Sequence, residues 1–462
     1  MMKGYLTVFL SLSLSALIAF ILVLTGNAVK NAEKLRVEGA ADIGMNSVLG
    51  EFHIALRDRY ELLYIDASYL GDDLSLENIE SRLRYYINQN IEKDSRYGLW
   101  GNSRLEEVNV TEVITAAQGN GNAMKNQAVC YIKESKTERE EADITEYMEK
   151  ISHLDKRDAA GEWGALQEQI AGMELPFVLN EQGIWEEVPL GNPADGIFTL
   201  LDSDILYLLE INTNDIGVGL ISKNSYISGR QIQNTANVTE KQIDNMLFLT
   251  YLFEKMGYYG NVRENSFLDY QLEYIAKGKG SDYENLKSVA ENIMRWRFAA
   301  NTEYAFSNSD LYSGASAMAQ ELYAVRLKEE FKEPVTKSIL YACAYLETIG
   351  DLRCLFSGGR IEVGKKYWNT GIDQVLSGNI STSVSSEGEG LAYGQYLGCI
   401  LMLLLGDIRN LRSMDIMEMD IRYLSGNANF AMDWCVERFT ADIHAAGSLG
   451  SKYSLDRTYG YY

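Results

Sequence analysis

The chain has 462 residues, a formal net charge of −23 and a sequence pI of about 4.7. A chain of this length is long enough for two or three domains with sizeable cores. The acidic excess argues against binding to nucleic-acid phosphates and against polybasic attachment to anionic lipid, because both need clustered Lys and Arg.

Composition also indicates the fold class. Only four prolines occur, and three of them, Pro176, Pro189 and Pro193, fall within eighteen residues. Because proline interrupts helices, this sparsity predicts an α+β chain that is mostly helical, with one irregular segment around these prolines. The five scattered cysteines and three isolated histidines show no disulfide or metal-ligand spacing, so we expect no metal and no cofactor.

The first predicted element is a transmembrane helix. Residues Tyr5–Gly26 form 22 consecutive positions without a charge, enough to cross a hydrocarbon core of roughly 30 Å. A cleavable signal, with a small-x-small site at Gly26-Asn27-Ala28, is the alternative, but its apolar region is usually only about 7–15 residues. We favour a signal anchor with the bulk of the chain extracytoplasmic, although Lys and Arg counts alone mildly favour the opposite topology.

This helix is predicted to continue as an amphipathic stalk, so that residues 1–59 form one stem. The apolar stripe of the stalk recurs at intervals of three and four residues at Val37, Ala41, Met45, Val48, Phe52 and Leu56. A membrane helix running into such a stalk is the shape of a pilin or pseudopilin, and a signal anchor with a short linker helix gives the same pattern. Small residues at Ser15, Ala16 and Ala19 are expected to pack against other membrane helices.

The body is predicted as three consecutive regions. Residues 60–175 form a small α/β module, with strands at Tyr60–Tyr69 and Leu105–Ala117 and a helix at Leu76–Lys93. Residues 176–240 form an irregular connector with strands. The remainder, 241–462, is predicted to be mainly helical.

Two helix starts in the last region have clear signals. The pattern Ser281-x-x-Glu284 is a capping box, and Pro334 suits the first turn of a helix. The apolar run Leu397–Leu405 is too short to span a bilayer, so it is predicted to be a buried core helix.

Several short stretches resemble sites but have a simpler structural explanation. The glycine-rich Lys277–Asp282 and Ser357–Arg360 lack phosphate-loop spacing and are predicted to be helix caps. Gly71–Asp73 is typical of a turn or N-cap. Trp296, between two arginines, is predicted to pack in a helix with Arg295 and Arg297 solvated.

Glu387 and Glu389 are the candidates for an enzyme. Two carboxylates act as a glycosidase pair only when they face each other about 5–10 Å apart across a cleft, and closeness in sequence does not provide this. A solvated loop is the preferred interpretation, and no catalytic residue is assigned.

Blocks along nearly the whole chain, above all "LDYQLEYIAKGKGSDYENLKSV" from Leu268, resemble an uncharacterised family of clostridial exported proteins, a domain of unknown function. Members of that family tend to be encoded among genes for tight-adherence (Tad)-like pilus or secretion machines, beside TadE- and TadG-like pseudopilins. The resemblance implies a membrane-anchored, non-enzymatic component of such a machine, with other machine proteins as partners and no catalytic residues.

The chain departs from the pilin pattern at its start. Prepilin-type processing would cut between Gly4 and Tyr5, and a glutamate five residues after the cut is usual, but Phe9 occupies that position. The expected function is therefore a pseudopilin-like structural or assembly role. A membrane-tethered hydrolase of cell-envelope polymers and an extracytoplasmic binding or sensing module are the alternatives.

Overall fold

The computed structural model describes residues 2–71, 75–92, 103–135, 144–173, 177–179, 182–187, 192–231, 244–323, 331–386 and 390–461. In chain order the helices are α1 Met2–Leu49, α2 Ile54–Tyr60, α3 Leu76–Glu92, α4 Gln118–Ser135, α5 Thr145–Asp155, α6 Ala159–Ala171, α7 Asp195–Phe198, α8 Ile205–Leu208, α9 Asp244–Lys255, α10 Gln271–Lys277, α11 Asp282–Ser307, α12 Ser309–Tyr323, α13 Lys332–Phe356, α14 Gln374–Ser377, α15 Tyr393–Leu403 and α16 Gly406–Ser425.

The strands are β1 Ile65–Asp66, β2 Arg104–Thr115, β3 Phe177–Leu179, β4 Trp185–Glu187, β5 Arg360–Ile361, β6 Leu391–Ala392, β7 Cys435–Ala446 and β8 Lys452–Gly460. The mostly helical α+β class, with a long apolar N-terminal helix and a helical C-terminal region, is therefore confirmed. Contacts divide the chain into two units: unit 1 comprises Met1–Ser135, Asn224–Phe248 and Ser413–Tyr462, and unit 2 comprises Lys136–Lys223 and Leu249–Arg412.

Unit 1 is built on an antiparallel sheet in which β7 pairs with β2 along one edge and with β8 and the short β1 along the other. β7 and β8 form a hairpin in register from Arg438↔Gly460 to Ala446↔Lys452. Residues of β7 alternate between the core and the other face, as expected of a strand with one buried side. β2 was predicted from the sequence, whereas β7 and β8 lie in a region that was predicted to be mainly helical.

One face of this sheet is covered by α1 and α3. The second half of α1 contributes Val37, Ala41, Met45 and Val48 to a hydrophobic core shared with both α3 and the sheet, so the predicted stripe is confirmed at these positions. Gly44 permits the close approach of α3, because a Cβ atom there would lie 2.7 Å from Ile87 Cγ1. Burial of this stripe, rather than helix propensity, is the main stabilisation of the stalk.

The predicted single helix to Arg59 is wrong. α1 ends at Leu49, and α2 begins at Ile54 with the His53 imidazole accepting a hydrogen bond from Leu56 N as its N-cap. The predicted strand Tyr60–Tyr69 is also too long, because only Ile65–Asp66 pairs, with Val436 and Cys435.

Unit 2 is mainly helical around α11 and α13. α13 is buried on almost every side from Val335 to Phe356, which explains its nearly continuous apolar and small residues. Pro334 lies in the first turn of α13, and Ser281 caps α11 by accepting from Glu284 N at 3.3 Å, so both predicted helix starts are confirmed.

Candidate functional site

A buried charge network lies between α11 and α13 in unit 2. The Arg297 Nη2 atom lies 2.8 Å from Asp351 Oδ2, and Lys365 Nζ lies 2.8 Å from Asp351 Oδ1 and 2.5 Å from Glu347 Oε1. Asn301 Nδ2 adds a hydrogen bond to Asp351 Oδ2 at 3.0 Å. Each buried charge is thus paired with an opposite charge. This pairing offsets the free-energy cost of removing the charges from water.

The network also sets the ionisation of its members. Burial alone would raise the pKa of Asp351, but the Arg297 and Lys365 charges outweigh burial and hold this pKa below its ordinary value. Burial alone would lower the pKa of Arg297, yet its neighbours, Asp351 above all, keep that pKa above the ordinary value. Both groups are therefore charged near neutral pH, and Asp351 is poorly suited to act as a general acid.

The same ions fix the backbone of residues 362–370, which we name the 362–370 segment. Arg297 Nη1 donates to Glu362 O at 2.5 Å, and Glu347 Oε2 accepts from Thr370 N at 2.8 Å and from Thr370 Oγ1 at 2.6 Å. Both ends of the segment are thus bonded to buried charges, which gives a firm base for the side chains between them.

A cavity of about 640 Å³ opens beside this segment. Its lining includes Tyr367, Trp368, Ser383 and Ser385, together with the paired charges described above. The Trp368 ring stacks on Tyr304 with ring centroids 5.5 Å apart and planes 9° apart, and its Nε1 donates to a backbone carbonyl at 2.6 Å. Apart from the paired charges, the lining thus consists mainly of residues with aromatic rings or hydroxyl groups.

A second cavity, of about 680 Å³, shares Gly364 and Lys365 with the first. It is lined on its other side by α5 and α11, where His153 Nδ1 lies 3.7 Å from Glu303 Oε1. Arg157 Nη1 also approaches Glu303, at 3.1 Å. The two cavities thus share part of their lining in the 362–370 segment.

Comparison with known proteins identifies one family. The model of a family of unknown function (DUF5702) matches residues 183–447, more than half of the chain. The chain belongs to this family. No curated protein matches the chain significantly. No solved structure matches it either.

The DUF5702 match includes every residue that lines the first cavity, whereas the α5 residues of the second cavity precede it. The block "LDYQLEYIAKGKGSDYENLKSV" also lies within the match. The family assignment gives no activity, so what the first cavity does rests on its own chemistry.

Within that block the buried polar residues have structural roles. Glu273 Oε1 accepts from Tyr259 N at 2.9 Å and from Tyr393 Oη at 2.7 Å, and Asp282 accepts from Asp269 N and Tyr270 N. Burial raises the pKa of Glu273 to about 7 and that of Asp282 to about 6. These carboxylates hold the backbone that precedes α10, at Tyr259, Asp269 and Tyr270. In the part of the chain that the structure describes, no cluster of three or more His, Cys, Asp or Glu is arranged to hold a metal ion.

The helix-cap interpretation of the glycine-rich stretches is confirmed. Gly278 ends α10 in the left-handed region at φ 60°, and Gly358 follows α13 at φ 92°. The acidic pair of Gly71–Asp73 and the two loop glutamates, Glu387 and Glu389, lie outside the described residues.

The prediction for Trp296 and its neighbours is half right. Trp296 is buried, and its Nε1 donates to Asp155 at 2.7 Å. Arg295 is exposed, but the prediction that Arg297 is solvated is wrong, since Arg297 is only 1% exposed and paired with Asp351. A carboxylate partner about fifty residues away leaves no local signal in the sequence.

The residues predicted for processing and membrane packing lie on the apolar half of α1. Gly4 and Tyr5 are helical, and the Tyr5 side chain is exposed. Ser15, Ala16 and Ala19 are also exposed and share one side of the helix by their spacing, with Ser15 Oγ bonded back to Ser11 O at 2.8 Å. By length and composition α1 is able to cross a membrane, as an anchor or as a signal sequence.

The cavity residues were missed by the sequence analysis. A local signal exists in "GKKYWN", Gly364–Asn369, where two bases and two aromatic residues follow a glycine. Ser383 has no such signal, because only the fold brings it to the same cavity.

Proposed function

We propose that this protein is a membrane-anchored, non-enzymatic structural or assembly component of a Tad-like pilus or secretion apparatus, with a pseudopilin-like form. The observation that supports it most is α1 itself. Its first half, Tyr5–Leu24, is uncharged and exposed at every position, and one face of its second half is buried in the core of unit 1, without a break in the helix between the two. One rigid helix thus joins a membrane segment to a folded body, as a pilin-like subunit needs.

The C-terminal hairpin strengthens this connection. Glu33 of α1 accepts from Ser448 N at 3.0 Å and from Tyr453 Oη at 3.1 Å, and it contacts Ser448 Oγ as well. Further along α1, Arg457 Nε donates to Asp42 at 3.1 Å. Lateral force on the membrane helix would reach the sheet through these contacts and through the apolar core.

Phe9 limits the type of subunit that we propose. A pilin glutamate at this position would pair with the amino terminus of a neighbouring subunit and offset the cost of placing both charges in the membrane. The apolar half of α1 has no charged residue to do this. An anchor or assembly subunit beside the filament fits this sequence better than a subunit of the filament shaft.

The role predicts retention in the membrane of the native cells. N-terminal sequencing of the membrane-bound protein should give a start at Tyr5, if a prepilin peptidase acts, or at Met1 or Met2 for an uncleaved anchor. A start after Ala28, with the protein released, would overturn the proposal and favour a secreted binding protein or hydrolase.

Partner contact is tested on α1 with a photo-crosslinking amino acid. Placed at Ala16 or Ala19 in native cells, it should yield adducts that mass spectrometry identifies as subunits of a pilus or secretion machine. Ile21 is the matched control, because it points away from Ser15, Ala16 and Ala19 on the same exposed helix. Equal yields at Ile21, or adducts with unrelated proteins alone, would contradict packing through the small residues.

A further inference from the structure

The charges around the first cavity determine which ligand chemistry it suits. Each cation in its lining has a carboxylate partner: Arg297 pairs with Asp351 at 2.8 Å, Lys365 also pairs with Asp351 at 2.8 Å, and Lys366 pairs with Glu362 at 3.2 Å. An anionic ligand would have to compete with these carboxylates, of which Asp351 is inaccessible to water. The cavity therefore favours an uncharged ligand.

Aromatic surface is available beside the paired charges. Tyr367 is 73% exposed and lines the cavity, and Trp368 is supported from behind by its parallel stacking on Tyr304. A ring held in this way offers a flat apolar face with a polar rim. Sugar rings have matching faces, with axial C–H groups above the ring plane and hydroxyls around it.

Ser383 supplies an independent sign of a ligand. This side chain is only 6% exposed and lines the cavity, and its Oγ has no hydrogen-bond partner among the described residues. A buried hydroxyl without a partner is costly, and a ligand hydroxyl can satisfy it because a hydroxyl both donates and accepts. Ser385 and Ser386 also line this cavity. Ser385 Oγ accepts a hydrogen bond from Arg360 N at 2.9 Å.

We propose that unit 2 binds a neutral saccharide chain in the first cavity, beside the 362–370 segment. The second cavity shares Gly364 and Lys365 with the first but has its own charged lining residues, among them Lys150, His153 and Glu303, so the proposal concerns the first cavity. A peptide is the other extended ligand, but peptide grooves rely on a free strand edge or a mainly apolar trough, and this lining is aromatic, hydroxylated and charge-paired. The inference does not depend on the pilus role, because a saccharide site would remain on a chain released from the membrane.

The test uses the full-length protein in a detergent without a sugar head group. Isothermal titration calorimetry compares a tetramer of N-acetylglucosamine and a tetramer of glucose with inorganic phosphate, glucose 6-phosphate and an uncharged tetraalanine peptide. We expect one or both neutral tetramers to bind, and the phosphate, the phosphorylated sugar and the peptide not to bind.

Two variants test whether the saccharide binds in the first cavity. Ser383→Ala removes the unpartnered hydroxyl, and Tyr367→Ala removes an exposed ring, so neither change should lower the melting temperature. Each should weaken binding by roughly two- to twelve-fold, the effect of one lost hydrogen bond or ring contact. Tyr207→Ala is the matched control, since Tyr207 is 80% exposed in the same unit and lines neither cavity.

The outcomes separate the alternatives. Binding of a neutral tetramer that is weakened by both cavity variants and unchanged in the control supports the proposal. Absence of binding at millimolar tetramer, preference for either phosphorylated probe, or preference for the peptide overturns it. Saccharide binding that neither cavity variant alters would also overturn it, because the ligand would then occupy another surface.

Discussion

Replacing Asp351 by asparagine tests whether the buried charge network holds unit 2 together. Asparagine keeps the size of the side chain, so the substitution opens no cavity; it removes the charge and replaces one acceptor oxygen by an amide donor. Asp351 Oδ2 accepts from Arg297 Nε at 3.1 Å and Nη2 at 2.8 Å, and Oδ1 accepts from Lys365 at 2.8 Å. After the change, Arg297 has lost its carboxylate partner while remaining buried.

The expected magnitude follows from that burial. Arg297 is 1% exposed and Asp351 is fully buried, so water cannot replace the lost partner. Removing one partner of a buried ion pair lowers the free energy of unfolding by about 3–5 kcal/mol. The free energy of unfolding of a typical protein is roughly 5–15 kcal/mol in total. We therefore expect Asp351→Asn to remove about a fifth or more of the stability of unit 2.

Urea unfolding of the detergent-solubilised chain, followed by tryptophan fluorescence, measures this loss. Trp163, Trp296 and Trp368 lie in unit 2, so the emission reports mainly on that unit. Glu333→Gln is the matched control, because Glu333 forms an exposed ion pair with a lysine on the same helix and should give no resolvable change.

A second variant distinguishes charge from packing. The double replacement of Arg297 by Met and Asp351 by Leu removes both buried charges, and it should be less destabilised than Arg297→Met or Asp351→Leu added together. If the free energy of unfolding of Asp351→Asn lies within about 1 kcal/mol of that of the unaltered chain, the buried pair does not hold unit 2 together.

Three further predictions concern other parts of the chain. Burial raises the pKa of Glu273 from 4.5 to about 7, so its native state holds the proton more tightly than the unfolded state. The stability that Glu273 contributes should be fully present below about pH 4.5 and be lost, by roughly 3 kcal/mol, as the pH rises through 7, so Glu273→Gln should make the pH dependence of urea unfolding less steep between pH 5 and 8. Gly44→Val should lower the stability of unit 1 by about 1–3 kcal/mol through its clash with Ile87, while Gly39→Ala, with open space around it, should not destabilise it in circular-dichroism melts. Ile18→Lys, near the middle of the apolar half of α1, should shift the protein to the alkaline-extractable fraction of membranes, and unchanged retention would argue against a spanning helix.

Local signals explain which parts of the fold were predictable. The stripe on α1, the cap at Ser281 and the left-handed Gly278 each depend on residues within one or two helical turns, so the sequence pattern identifies them. β7 also has a local signal, the apolar alternation from Phe439 onward, and it was missed because the surrounding region has a helical pattern. Its pairing with β2 joins segments more than three hundred residues apart, which no local pattern specifies.

The candidate site was less predictable for a related reason. Tyr367 and Trp368 stand in an unusual run of bases and aromatic residues, but that run becomes a site only when Arg297 and Glu347 fix its backbone. Those two residues lie on different helices and look like ordinary surface charges in the sequence. The buried ion network is a product of the tertiary fold, and so is the cavity beside it.

The strand pairing in unit 1 indicates that residues 183–447, which match the family, do not form a complete sheet by themselves. β7 lies inside the matched residues 183–447, but both strands that cover its edges, β2 and β8, lie outside them. A fragment restricted to 183–447 would expose two open edges of a strand whose inward residues, such as Phe439 and Ile443, are buried in the full chain. We expect this fragment to aggregate, whereas the full chain in detergent runs as a discrete species in size-exclusion chromatography. A monomeric fragment with a cooperative melt would show that β7 folds without its neighbours, and that the matched region is an independent domain rather than a part completed by both ends of the chain.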